Sequence, residues 1–159
     1  MLANHLSRNR AFSLIELVIV VVIIGIIAAI AIPRMSRGAT GAADGALTAD
    51  LAALRNQIDL FQAEHAGTYP DLVATPTQLT GYTNEAGTVG TKGDGVSIYG
   101  PYLRVIPSLP VGANKGKNAF VAAQGGSTAG WVYDKTTGTV TANCPDAEVD
   151  SRGIKYNSY

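Results

Sequence analysis

The chain has 159 residues, enough for one domain with a modest core but not for two sizeable ones. Its 12 Lys and Arg residues are balanced by 12 Asp and Glu residues with no long run of either sign, which argues against nucleic acid as a main partner. A single cysteine, Cys144, excludes an intrachain disulfide, so stability has to come from packing, assembly or a metal, with an intermolecular bridge as the remaining use of the thiol.

Residues 1–11 carry Arg8, Arg10 and His5 and no acid. From Phe12 to Ile32 the only charged residue in 21 positions is Glu16. As a helix rising about 1.5 Å per residue, this stretch spans a bilayer core of about 30 Å. Basic residues ahead of such a segment stay in the cytoplasm, which predicts N-terminus in and the remainder outside. Three ordinary readings compete. A plain signal anchor is one. A cleaved signal peptide is another, with Ala29-Ile30-Ala31 as a small-x-small site, although its apolar core is usually about 7–15 residues. The third, a core helix of a soluble domain, fits poorly with the unbroken stretch from Leu17 to Ile32.

Glu16 discriminates among them. An acid deep in an apolar helix costs about 2.5–3.5 kcal/mol on insertion scales, so it needs a partner or a function. No basic side chain lies one turn away. A cut between Ala11 and Phe12 would create an amine four positions before it, and the amine of a neighbouring copy would serve better, as a device that sets register between helices.

The string Arg10-Ala11-Phe12-Ser13-Leu14-Ile15-Glu16-Leu17, followed by an apolar run ending at Pro33, resembles the N-terminal signature of type IV pilins and of the pseudopilins of type II secretion. The resemblance implies that a prepilin peptidase cuts between Ala11 and Phe12, that the new amine of Phe12 is methylated, and that Glu16 supports assembly. The family usually has Gly before the cut. Ala11 is still small, which implies the same cleavage at a slower rate.

Pro33 lacks a backbone N–H and its ring clashes with the preceding turn, so it kinks or interrupts the helix or simply ends it. Gly38, Gly41 and Gly45 each cost about 1 kcal/mol relative to Ala in a helix, making 33–45 a weak, bendable stretch. Apolar residues then recur at Leu47, Leu51, Leu54, Ile58 and Phe61, with Asp50, Arg55, Asn56, Asp59 and Gln62 opposite. That spacing predicts an amphipathic helix over Thr48–Glu64, half buried against a sheet and ended by Gly67 before Pro70. His65, at its end, is read as capping the last carbonyls or facing solvent rather than as catalytic.

Residues 71–118 read as long loops rich in Gly, Thr, Pro and Asn. A strand is predicted at Ala119–Ala122, and a hairpin at Gly130–Asp134 and Thr139–Asn143 around Lys135-Thr136-Thr137-Gly138, with Trp131 and Tyr133 on one face and Val132 on the other. His65-Ala66-Gly67-Thr68-Tyr69-Pro70, the Tyr99–Leu103 and Ile106–Pro110 segments and this hairpin are similar in order and flavour to the major pseudopilin, the G subunit of type II secretion.

Asp146, Glu148 and Asp150 alternate as in a calcium loop, but Ser151 and Asn157 stand where an EF-hand requires Gly and Glu. Major pseudopilins are similar in having a calcium-binding loop late in the head, which makes these three the candidate calcium ligands; the competing reading is an exposed acidic tail. No nucleophile or catalytic metal motif is present, so no enzyme is expected.

The resulting expectation is an α+β chain. Residues 1–11 form a cleaved basic leader, 12–32 a transmembrane and filament-core helix, 33–68 a flexible neck and amphipathic helix, and 69–159 a head with long loops and a small C-terminal antiparallel sheet. The resemblance implies a structural subunit of a type II secretion pseudopilus acting in protein secretion. Its partners would be copies of itself, the prepilin peptidase, the inner-membrane assembly machinery and the membrane. Its location would be the bacterial inner membrane as a precursor, then a periplasmic or surface filament. A type IV pilus subunit serving adhesion, motility or DNA uptake is the alternative, disfavoured because many major pilins close the head with a disulfide. A membrane-tethered or secreted binding domain is the alternative of another class.

Overall fold

The computed structural model describes residues 12–126 and 128–159. Its elements in chain order are α1 (Leu14–Glu64), β1 (Tyr82–Thr83), β2 (Val89–Gly90), β3 (Phe120–Val121), β4 (Trp131–Asp134) and β5 (Thr139–Ala142), with short 3-10 turns at Pro76–Gln78 and Tyr156–Ser158. The class is α+β, as expected. The leader 1–11 lies outside the described residues.

Helix α1 is one run of 51 residues. Where the sequence predicts a weak stretch over 33–45 and a helix from Thr48, the helical backbone passes through both. Pro33 withholds one main-chain donor and each glycine costs about 1 kcal/mol, but ending the helix and restarting it would require a second, costly nucleation. Propagation is cheaper than a new start.

The chain divides into two compact units between Gly38 and Ala39. In the first, none of the apolar stretch Leu14–Ala31 is buried. In the second, Leu47, Leu51, Leu54, Ile58 and Phe61 are all buried to 1% exposure or less, forming the stripe that the four-and-three spacing predicts. They share a core with Trp131, Tyr133, Val140 and Ala142 of the sheet and with Leu72, Leu79 and Leu109 of the loops. At about 1.5–3 kcal/mol for each large apolar side chain removed from water, this core is what holds the head to its helix.

The helix ends at Glu64, as expected, but the first left-handed residue after it is Ala66 rather than Gly67. Gly67 N donates to Gln62 O at 2.9 Å, closing a six-residue Schellman turn whose left-handed residue is Ala66, with φ of 52°. Gly67 follows with φ of 81°.

The hairpin forms where predicted. Trp131 pairs with Ala142, Val132 with Thr141, Tyr133 with Val140 and Asp134 with Thr139. Trp131 and Tyr133 are buried on one face and Val132 is half-buried on the other. In its turn Gly138 has φ of 71°, and a β-carbon there would sit 2.3 Å from the Tyr69 ring, so both backbone and space demand glycine.

The expectation of a wholly antiparallel sheet is corrected at its first strand. The order is β3-β4-β5, and β3 runs parallel to β4, with Phe120 opposite Trp131 and Val121 opposite Val132. Parallel neighbours cannot be joined by a tight turn. The chain that leaves β3 and returns to β4 is instead held, at 125–126 and 129, by two buried asparagines. Asn143 Nδ2 donates to Gly125 O and Ala129 O at 3.1 and 2.9 Å, and its Oδ1 accepts from Gly125 N at 2.9 Å. Asn114 Nδ2 donates to Gly126 O and Asn143 O at 3.2 and 2.8 Å.

The segment read as loops also contains structure. β1 and β2 pair antiparallel, and Thr83 bridges to Tyr99. Trp131 Nε1 donates to Pro107 O at 2.8 Å and the Tyr133 hydroxyl to Pro70 O at 2.9 Å, so the sheet's two large aromatics fasten the irregular chain to the core.

Candidate functional site

The start of α1 combines three properties. Phe12 is 83% exposed, directly ahead of the helix. Leu14–Ala31 is long and apolar enough to cross a membrane, with mean hydropathy 3.2 and no burial against the chain's own residues. Glu16 sits in the first turn. The Ser13 main-chain N–H donates to Glu16 Oε2 at 3.4 Å, which is one half of a capping box with Ser13 as N-cap and Glu16 at the third helical position. This supplies a local partner that the sequence reading did not assign to Glu16. The contact is long and exposed, so it leaves most of the carboxylate's hydrogen-bonding capacity open. A cut before Phe12 would leave Ser13, Glu16 and the cap intact. Ala11, on the other side of that bond, lies outside the described residues, and of Pro33 only the helical backbone is described.

Residues 6–32 match the family model of the prokaryotic N-terminal methylation motif. The chain is type IV pilin-like. The motif implies processing by a prepilin peptidase, a membrane-anchored precursor and assembly into pilus-like filaments. No curated protein and no solved structure matches the chain, so the pilin-like assignment rests on this segment and the head is read from its own geometry.

In the head, the three candidate calcium ligands are drawn to separate partners. Asp146 meets Lys155 at 2.6 Å and Asn157 at 2.8 Å; the Lys155 hydrogen bond, then that of Asn157, holds its carboxyl below the usual range. Glu148 Oε1 accepts from Ala113 N at 2.8 Å. Its Oε2 is buried against Gly112, where a β-carbon would lie 2.1 Å away, and no N–H group among the described residues donates to it. Cys144 lies on the same side, 2.7 Å from that position, and burial, then the neighbouring Glu148, pushes its thiol up to about 12.

Asp150 is buried and ringed by donors: the main-chain N–H groups of Arg152 and Ile154 at 2.8 Å, Arg152 Nε at 2.8 Å, and the Tyr159 hydroxyl. Burial opposes its ionisation, but these hydrogen bonds together outweigh it and hold the carboxyl well below the ordinary range. Among the described residues no three His, Cys, Asp or Glu side chains are grouped to hold a metal ion. In this arrangement Asp146, Glu148 and Asp150 are each turned to donors of their own. Nor is the segment simply an exposed acidic tail, since Asp150 is buried.

His65 caps the helix, as one of its two sequence readings has it, but is buried rather than solvent-facing. Its ring stacks on Phe61 at 3.7 Å, Nδ1 contacts Phe61 O at 2.7 Å and Nε2 contacts Thr83 Oγ1 at 3.0 Å. A carbonyl only accepts, so Nδ1 carries a proton and donates to Phe61 O, while the Thr83 hydroxyl, able to donate or accept, partners Nε2. Nearby, the Tyr102 hydroxyl donates to Glu64 at 2.6 Å.

Two helix residues acquire roles that spacing did not signal. Arg55, placed by periodicity on the polar face, donates from Nη2 to Val140 O at 3.2 Å and to Tyr159 O at 2.6 Å. Asp44, within the glycine-rich stretch, is buried and accepts from the Tyr156 hydroxyl at 2.9 Å and from Ser151 N at 3.2 Å. Their partners are about a hundred positions away, beyond the reach of any local pattern.

Proposed function

We propose that this pilin-like chain is the structural subunit of a type II secretion pseudopilus, matured by cleavage between Ala11 and Phe12 and methylation of the Phe12 amine. The reading is carried by Glu16, a lone acid inside an apolar helix of which no residue from Leu14 to Ala31 is buried among the described residues, five positions after the small residue that ends a basic stretch. An exposed apolar helix needs lipid first and other copies of itself afterwards, and it loses little in exchanging one for the other. A carboxylate held within the chain only by the long Ser13 N–H contact is open to a neighbour's amine, which makes that exchange specific in register. Pro33 and the glycines beyond it give the helix a place to bend between this packing and the head. The role is structural rather than enzymatic. The lone Cys144, which cannot close the head with a disulfide, favours the secretion filament over a surface pilus.

The test is mass spectrometry of the N-terminal peptide of the mature, membrane-extracted protein. A chain beginning at Phe12 with one added methyl group supports prepilin processing. A start at Ile32 would make it a secreted domain, and an intact Met1 would make it a tethered module; either refutes the proposal. Deletion in the source cell then separates the two filament types, since retained exoproteins indicate a pseudopilus and loss of surface fibres with normal secretion indicates a pilus.

A further inference from the structure

The environment of α1 changes abruptly within the head unit. Residues 39–42 are exposed, Ala43 is half-buried, Asp44 is 8% exposed and Leu47 is fully buried. Gly38, Gly41 and Gly45 lie on one face of this stretch, and a β-carbon added at any of them would meet nothing within 4 Å. No close approach among the described residues therefore requires glycine there. What these glycines do is weaken the helix locally.

Past Gly38 and Gly41, and beside Gly45, the helix is gripped at Asp44 by the chain's last ten residues. Ser151 N and the buried Tyr156 hydroxyl bond the two carboxylate oxygens of Asp44. Asp150 gathers Arg152, Ile154 and Tyr159, which stiffens the gripping segment. Tyr159 O in turn accepts from Arg55, 11 positions and so about 16 Å along the helix from Asp44. The segment is tied to α1 at both points.

We propose that residues 150–159 form a clasp that sets, at Asp44, the point beyond which α1 does not unwind. The glycine-bearing turns before Asp44 open while the head stays folded. Opening at Asp44 itself requires the buried carboxylate to give up both donors, and opening further requires the core at Leu47 to come apart. One continuous helix thus has two stabilities, with the boundary placed by a segment distant in sequence. The inference concerns the folded chain alone and holds whether or not the chain is cleaved or forms filaments.

The test is native-state hydrogen exchange on the full chain in detergent micelles, read for 38–43, 44–48 and 49–61. The expected result is exchange at least about tenfold faster in 38–43 than in 49–61, with 44–48 on the slow side. Tyr156→Phe removes one hydrogen bond to a charged acceptor and should speed 44–48 by about tenfold while leaving 49–61 unchanged. Gly38→Ala and Gly41→Ala, each free of steric conflict, should slow 38–43 by about fivefold apiece. Uniformly slow exchange across 38–61, or Tyr156→Phe leaving 44–48 unaltered, would overturn the clasp. Alanines that do not slow 38–43 would overturn the glycine account of the weak turns.

Discussion

Ala66 offers a stringent test of the helix terminus. It is exposed and left-handed, with φ of 52°, in a turn closed by the Gly67 to Gln62 hydrogen bond. An L-residue in this conformation costs about 1–2 kcal/mol that glycine does not incur. Glycine in turn loses about 0.4–1 kcal/mol more than alanine from the unfolded chain's entropy. Ala66→Gly should therefore stabilise the head by about 0.5–1 kcal/mol, while Ala66→Val, β-branched at positive φ, should destabilise it. The single tryptophan, Trp131, is fully buried in the head core, so its fluorescence reports unfolding of this unit directly. Urea titration of the full chain in micelles should show a raised midpoint with unchanged slope for the glycine variant and a lowered midpoint for valine. A lowered midpoint for Ala66→Gly would mean that residue 66 is not left-handed and that the helix ends elsewhere.

Leu54→Ala, at the centre of the buried stripe, should cost about 2–5 kcal/mol, while Leu60→Ala, 45% exposed on the same helix, should cost far less; equal losses in the same urea assay would contradict the facing of α1. Tyr133→Phe removes the buried hydroxyl that donates to Pro70 O and should cost about 1–1.5 kcal/mol, with greater protease sensitivity in the loop after Pro70. The carboxyl of Asp150 is held below its unfolded value of about 3.9, so its stabilisation is complete above that pH and is lost as pH falls through the folded value. Asp150→Asn should therefore lower stability at neutral pH and flatten its decline below about pH 4; an unchanged acid limb in pH-dependent thermal melts would show that the carboxylate is not held as described.

The sequence by itself determined the features that depend on near neighbours. A lone charge in 21 residues, basic residues ahead of it and a helical apolar period are local patterns, and the long apolar helix and the buried stripe from Leu47 to Phe61 follow from them. The hairpin was legible for the same reason, since alternation and a four-residue turn fix its register over Trp131–Ala142. Two-residue strands such as β1 and β2 are too short to show a period and emerge only when tertiary neighbours pair them. The parallel direction of β3 depends on how Asn114 and Asn143 fold the intervening chain, which no property of Phe120 and Val121 announces. Asp146, Glu148 and Asp150 show most clearly what only the tertiary structure decided. Spacing offers three carboxylates to one cation, but in the folded chain each turns to a separate donor, from Lys155, Ala113 and Arg152. The same long-range arithmetic turned Asp44 and Arg55, unremarked in a polar pattern, into the two points where the end of the chain holds its helix.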